Sequence, residues 1–106
     1  MQIYSIENAK QFNEEQFTKV NLIKNEHSTA FVLNFLPGQH MKAHNHPHRE
    51  LYLYVIDGDG IFLIDGEEVA VSAGDVIYCD SKQQLGFTNT SDARVSIYAT
   101  MTKLQD

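Results

Sequence analysis

The stretch Pro37-Gly38-Gln39-His40-Met41-Lys42-Ala43-His44-Asn45-His46-Pro47-His48-Arg49-Glu50 holds four of the chain's five histidines within nine residues and ends on a carboxylate. Imidazole nitrogens and carboxylate oxygens are the donors that divalent first-row metals such as Fe, Mn, Ni, Co and Zn accept. His44 and His46 are two apart, and residues two apart in an extended strand face the same side. Both rings can therefore converge on one ion. Pro47 bends the chain, which lets Glu50 return from the next strand as a third donor. The expected metal ligands are His44, His46 and Glu50.

Outward from this cluster, short apolar runs recur with turn residues between them, the pattern of an all-β sandwich or barrel. The candidate strands are Val20 to Ile23, Thr29 to Leu36, Met41 to His46, Leu51 to Ile56, Ile61 to Ile64, Glu68 to Val71, Asp75 to Cys79, Gly86 to Asn89 and Arg94 to Thr102. Asp57-Gly58-Asp59-Gly60 and Asp65-Gly66 supply residues that tolerate positive φ, as tight hairpin turns require. In the last candidate strand Val95, Ile97, Ala99 and Met101 share one face, which is assigned to the core. Phe31, Phe35, Phe62 and Phe87 are also read as core. Only Glu7 to Phe17 invites a short helix or turn, because its apolar face is thin.

The chain has 106 residues, 42% of them apolar, which suits a single domain over 1–106 with its barrel at about 28–102 and the segment 1–27 packed on it. A formal charge of −6 with eight scattered Lys and Arg argues against nucleic acid as a partner. No apolar run approaches the ~20 residues that span a bilayer, and the start lacks the regions of a signal peptide. A cytoplasmic protein with no membrane partner is expected. Cys79 is the only cysteine and is read as a buried thiol among Val76, Ile77 and Tyr78.

Gly38, His44, His46 and Glu50 together resemble the first motif of the cupins, small jelly-roll barrels also described as double-stranded β-helices. That motif runs glycine, five residues, His, one residue, His, three or four residues, Glu, six residues, glycine. Here Leu51 to Asp57 make seven residues before Gly58. A β-bulge would absorb the extra residue and keep Glu50 pointing inward, whereas a register shift would put Leu51 at the acid's position. The spacing from the histidines to Glu50 favours the bulge. Of the second motif, Gly66, Gly74 and Asn89 are present, Ser72 stands for a proline, and Leu85 stands where the family places its fourth, histidine ligand.

The resemblance implies a divalent transition metal (Fe, Mn, Ni or Zn) in a pocket bordered by Leu85 and Phe87. It also implies oxygenation or isomerisation of a small polar molecule, and a homodimer. The alternative is a small-ligand binding or sensor module without turnover or tightly bound metal, and the loss at Leu85 favours it. His40 has the parity of His44 and His46 but lies roughly 13 Å from His44 along a strand, and His48 sits in the Pro47 turn; both are reserve ligands. Tyr52 and Tyr54 share the parity of Glu50 and are read as core rather than pocket. Arg49 is expected to face solvent, with pairing to an anionic substrate as the alternative, and His27 is read as a surface-loop residue.

Overall fold

The structure, a computed structural model, describes residues 1–104. Its strands are β1 (Thr18–Lys24), β2 (Ser28–Phe35), β3 (His40–His44), β4 (Arg49–Asp57), β5 (Asp59–Ile64), β6 (Glu67–Ser72), β7 (Val76–Cys79), β8 (Leu85–Thr88) and β9 (Val95–Lys103). Each overlaps one of the runs read from the sequence. They form a five-stranded sheet in the order β1-β2-β9-β4-β7 and a four-stranded sheet in the order β3-β8-β5-β6, with every pairing antiparallel. This is the all-β jelly roll expected.

Alternation decides which side chains fill the space between the sheets. Val95, Ile97 and Ala99 of β9 are fully buried, with Phe31, Leu33 and Phe35 of β2 and Leu51, Leu53 and Val55 of β4 beside them. Phe62 and Phe87 come from the facing sheet, and the Phe87 ring lies 4.8 Å from both Phe35 and Phe62 in tilted contacts. Burying one such side chain contributes about 1.5–3 kcal/mol. Cys79 is also fully buried, and burial pushes its thiol above the ordinary cysteine pKa, aided by Asp80 and Asp65.

The β5–β6 hairpin turns on Asp65 and Gly66, with φ of 50° and 80°, the two left-handed residues of a type I′ turn. Between Glu7 and Phe17 the short helix or turn is a single 3₁₀ turn, Glu7–Ala9. Tertiary contacts hold this segment instead. The buried Asn34 amide donates to the Ala9 carbonyl at 2.8 Å and accepts from the Ser96 hydroxyl at 2.8 Å, while Phe17 stacks on Phe35 at 5.1 Å. Tyr52 and Tyr54, read as core, are 51% and 42% exposed. They alternate with Leu51, Leu53 and Val55, so they take the outer face of the five-stranded sheet.

Candidate ligand pocket

β3 and the turn after it carry the two histidines. His40 lies opposite Thr88, Met41 opposite Phe87 and His44 opposite Leu85, and the register slips between Met41 and His44. The extra residue breaks the two-residue parity, so Met41 and His44, three apart, both line the same pocket. His40 is exposed beside the exposed Thr88 and does not join them. The shared parity read from the sequence fails at this bulge.

The next four residues set the register of β4. Arg49 N–H donates to the His46 carbonyl at 3.1 Å. Proline at the second position and a left-handed His48 (φ 63°) at the third follow the pattern of a type II turn. The chain re-enters the sheet at Arg49, so Leu51, Leu53 and Val55 point inward. Glu50 stands on the other face, where its carboxylate accepts a 2.7 Å hydrogen bond from the Tyr78 hydroxyl. That bond, with some burial, pushes the Tyr78 phenol up to about 12.

The expected ligand set is therefore corrected: His44 and His46 come together, and Glu50 does not join them. An irregularity does absorb a residue before Gly58, but it lies between Val55 and Asp57 opposite β9. That is downstream of Glu50 and leaves it facing outward. Counting four residues after His46 instead of three puts Leu51 at the acid's position and leaves six before Gly58. This second spacing was the signal available in the sequence.

The pocket has a volume of about 180 Å³. Phe31 and Leu33 of β2, Leu51 and Leu53 of β4, and Leu85 of β8 form its apolar walls, with Met41, His44 and His46 beside them and Phe17 and Lys19 completing the lining. The two imidazole rings are 4.5 Å apart and tilted by 53°. His44 Nδ1 lies 2.9 Å from the Lys42 carbonyl, which favours the tautomer with the proton on Nδ1 and leaves Nε2 as an acceptor in the neutral ring. His46 Nδ1 is buried with no hydrogen-bond partner among the described residues. Burial lowers the His46 pKa, and nearby His44, Lys19 and Arg49 lower it further. The site thus offers a His46 imidazole held toward its neutral form, beside His44, in an apolar cleft.

The resemblance to the cupins implies a transition metal held by three or four protein donors. Leu51 and Leu85 present alkyl groups where the family's motif has an acid and a histidine. Among the described residues no group of three or more His, Cys, Asp and Glu side chains could hold an ion. Two imidazoles do not make the three-ligand centre.

The model of the cupin domain family matches residues 31–101. An oxalate-binding protein of Thermotoga maritima is 30% identical over 63 residues, which are 59% of this chain and 52% of that protein. The chain thus spans about half the length of the curated relative it matches. Among solved structures, the protein TT1209 of Thermus thermophilus superposes with a TM-score of 0.91 at 20% identity, covering 99% of this chain and 100% of that one. A conserved protein with a double-stranded β-helix domain from Klebsiella pneumoniae also reaches 0.91 at 20% identity, covering 97% and 90%. These two show the fold alone. No helix among the described residues is long and apolar enough to cross a membrane.

Proposed function

This chain belongs to the cupin family, and from that footing we propose that it is a small-ligand binding module whose pocket works without tightly bound metal. The observation that carries the reading is Leu51, 2% exposed and lining the cavity with His44 and His46. Its alkyl side chain stands where the metal-binding reading needs a carboxylate. Ligand capture would rest on the apolar walls for affinity and on the two imidazoles for orientation, the usual division of labour in small-molecule sites. A ligand hydroxyl or carboxyl that reached His46 Nδ1 would also satisfy a buried polar atom whose unpaired state costs about 1–3 kcal/mol. The binding name of the Thermotoga relative fits a role in capture.

Elemental analysis of protein purified without chelator, followed by reconstitution with Fe, Mn, Ni or Zn, tests the metal half of this reading. Metal content far below one per chain, unchanged by reconstitution, is expected; stoichiometric metal overturns it. Titration with small carboxylic acids, phenols and diols in the presence of EDTA, read by amide NMR, tests the binding half. Saturable shifts at Met41, His44 and His46 are expected, and reproducible turnover of any of these compounds would demote the module to an enzyme. A homodimer belongs to the same proposal. Val76, Tyr52, Tyr54 and Tyr78 are exposed on β4 and on β7, an edge strand of the five-stranded sheet. Light scattering at twice the chain mass is expected, and a single-chain mass overturns it.

A further inference from the structure

A second cleft, of about 290 Å³, opens at one end of the five-stranded sheet, lined among others by Lys19, Lys24, Glu26, His27, Arg49 and Lys103. Among the described residues, four of the eight Lys and Arg line it and one of the thirteen acids. A molecule of formal charge −6 thus gathers half of its positive charge in one concavity. Sheet order explains most of the convergence: β1 pairs with β2, β2 with β9 and β9 with β4, which brings positions 24, 103 and 49 to one end of the sheet, while Lys19, five residues along β1, also lines the cleft.

Three features mark this as more than a solvated surface. Arg49 and Lys103 are direct partners across the β4–β9 ladder, and like charges directly opposite destabilise a sheet. None of the four cations has an acid within ion-pairing distance among the described residues, where the only ion pairs join Lys10 to Glu7 and Asp57. Lys19 lies 4.5 Å above the Phe31 ring, which holds its stem at the wall of the apolar pocket. Lys19 lines both cavities, so they adjoin. The influence of Lys19 and Arg49 on His46 fits that proximity.

We propose that the basic cleft is an anion subsite and that the barrel's ligand is an amphipathic small molecule, with an apolar body against His44 and His46 and a carboxylate or phosphate held by Lys19, Lys24, Arg49 and Lys103. This rests on the pocket reading above and adds the charge of the ligand. An anion drawn into a concave positive site also gains from field focusing, which salt weakens.

Amide NMR titrations with hexanoate, hexan-1-ol and inorganic phosphate at low ionic strength test the proposal, because the first two share a body and differ in charge. Hexanoate is expected to bind about tenfold tighter than hexan-1-ol, the scale of one charge-assisted hydrogen bond. Phosphate is expected to compete with hexanoate and not with hexan-1-ol. The exposed positions 24, 49 and 103 allow K24Q/K103Q and, separately, R49Q, in either of which the preference for hexanoate should fall toward one. High salt should lower it as well. Equal binding of both compounds, unmoved by these substitutions, overturns the anion subsite and leaves the pocket reading standing. Phosphate binding in the cleft while neither six-carbon compound reaches His46 overturns the pocket reading and with it the shared ligand. No shift with any of the three overturns both.

Discussion

A carboxylate at position 51 would share the cavity with His44 and His46, since Leu51 lines it and is 2% exposed. A histidine at position 85, opposite His44 in the β3–β8 ladder, would add a fourth donor. The variant L51E/L85H is therefore expected to acquire about one Ni, Mn, Fe or Zn per chain on reconstitution, measured by elemental analysis. L51E alone places an acid among Phe31, Leu33 and Leu53 and should destabilise the fold by about 2–5 kcal/mol. Glu50 supplies the complementary test. Absorbance titration of the five tyrosines should show one ionising near 12, and Glu50→Gln should bring that one down, because the lost carboxylate accepts the phenolic proton's hydrogen bond. His46 sets a pH dependence. Its native pKa lies below the ordinary 6.5 because burial disfavours the cation. In the window from about 6.5 down to the native value the unfolded chain binds more protons, so stability falls as pH falls, then levels off. Urea midpoints across that range should show the loss, and His46→Gln should lack it.

Among the elements, the hairpin after β4 depends on Gly58. It sits at φ 83°, and a Cβ there would lie 2.6 Å from the Arg94 carbonyl oxygen and 2.8 Å from Val95 Cγ2. Gly58→Ala combines a disfavoured dihedral with a backbone clash and should cost at least about 2 kcal/mol, read from urea midpoints. The same local irregularities mark the limit of what the sequence reveals. Two-residue alternation made the strands legible, and with them the core face Val95, Ile97 and Ala99 and the inward pair His44 and His46. Parity arguments failed where an extra residue entered a strand or a tight turn reset it. The bulge between Met41 and His44 breaks the parity His40 was read to share with His44, although distance had already left His40 a reserve ligand. The turn from His46 to Arg49 sent Glu50, Tyr52 and Tyr54 outward together, one register error producing three misplacements. The basic cleft was illegible for another reason. Its cations are spread from position 19 to position 103, and only the pairing order of β1, β2, β9 and β4 brings them together.

For the molecule as a whole, that order makes β9 the central strand of the five. Ser28 to Phe35 pair along one side of it, from Thr102 to Val95, and β4 pairs along the other, from Lys103 opposite Arg49 to Ser96 opposite Asp57. Neither β2 nor β4 gains that partner until the last part of the chain arrives, so large loops close before the sheet rewards them. Such non-local topologies fold in milliseconds to seconds. Ile97 is fully buried, opposite Leu33 on one side and Val55 on the other, which makes it a probe of that closure. Ile97→Ala should cost about 2–5 kcal/mol at equilibrium. If docking of β9 between β2 and β4 is what crosses the barrier, a substantial part of that loss must fall on the refolding rate rather than on unfolding. Stopped-flow refolding of the variant is expected to slow by about threefold or more. An unchanged refolding arm, with the whole effect in unfolding, would place the docking of β9 after the barrier and make the four-stranded sheet, or a local hairpin such as β5–β6, the nucleus instead.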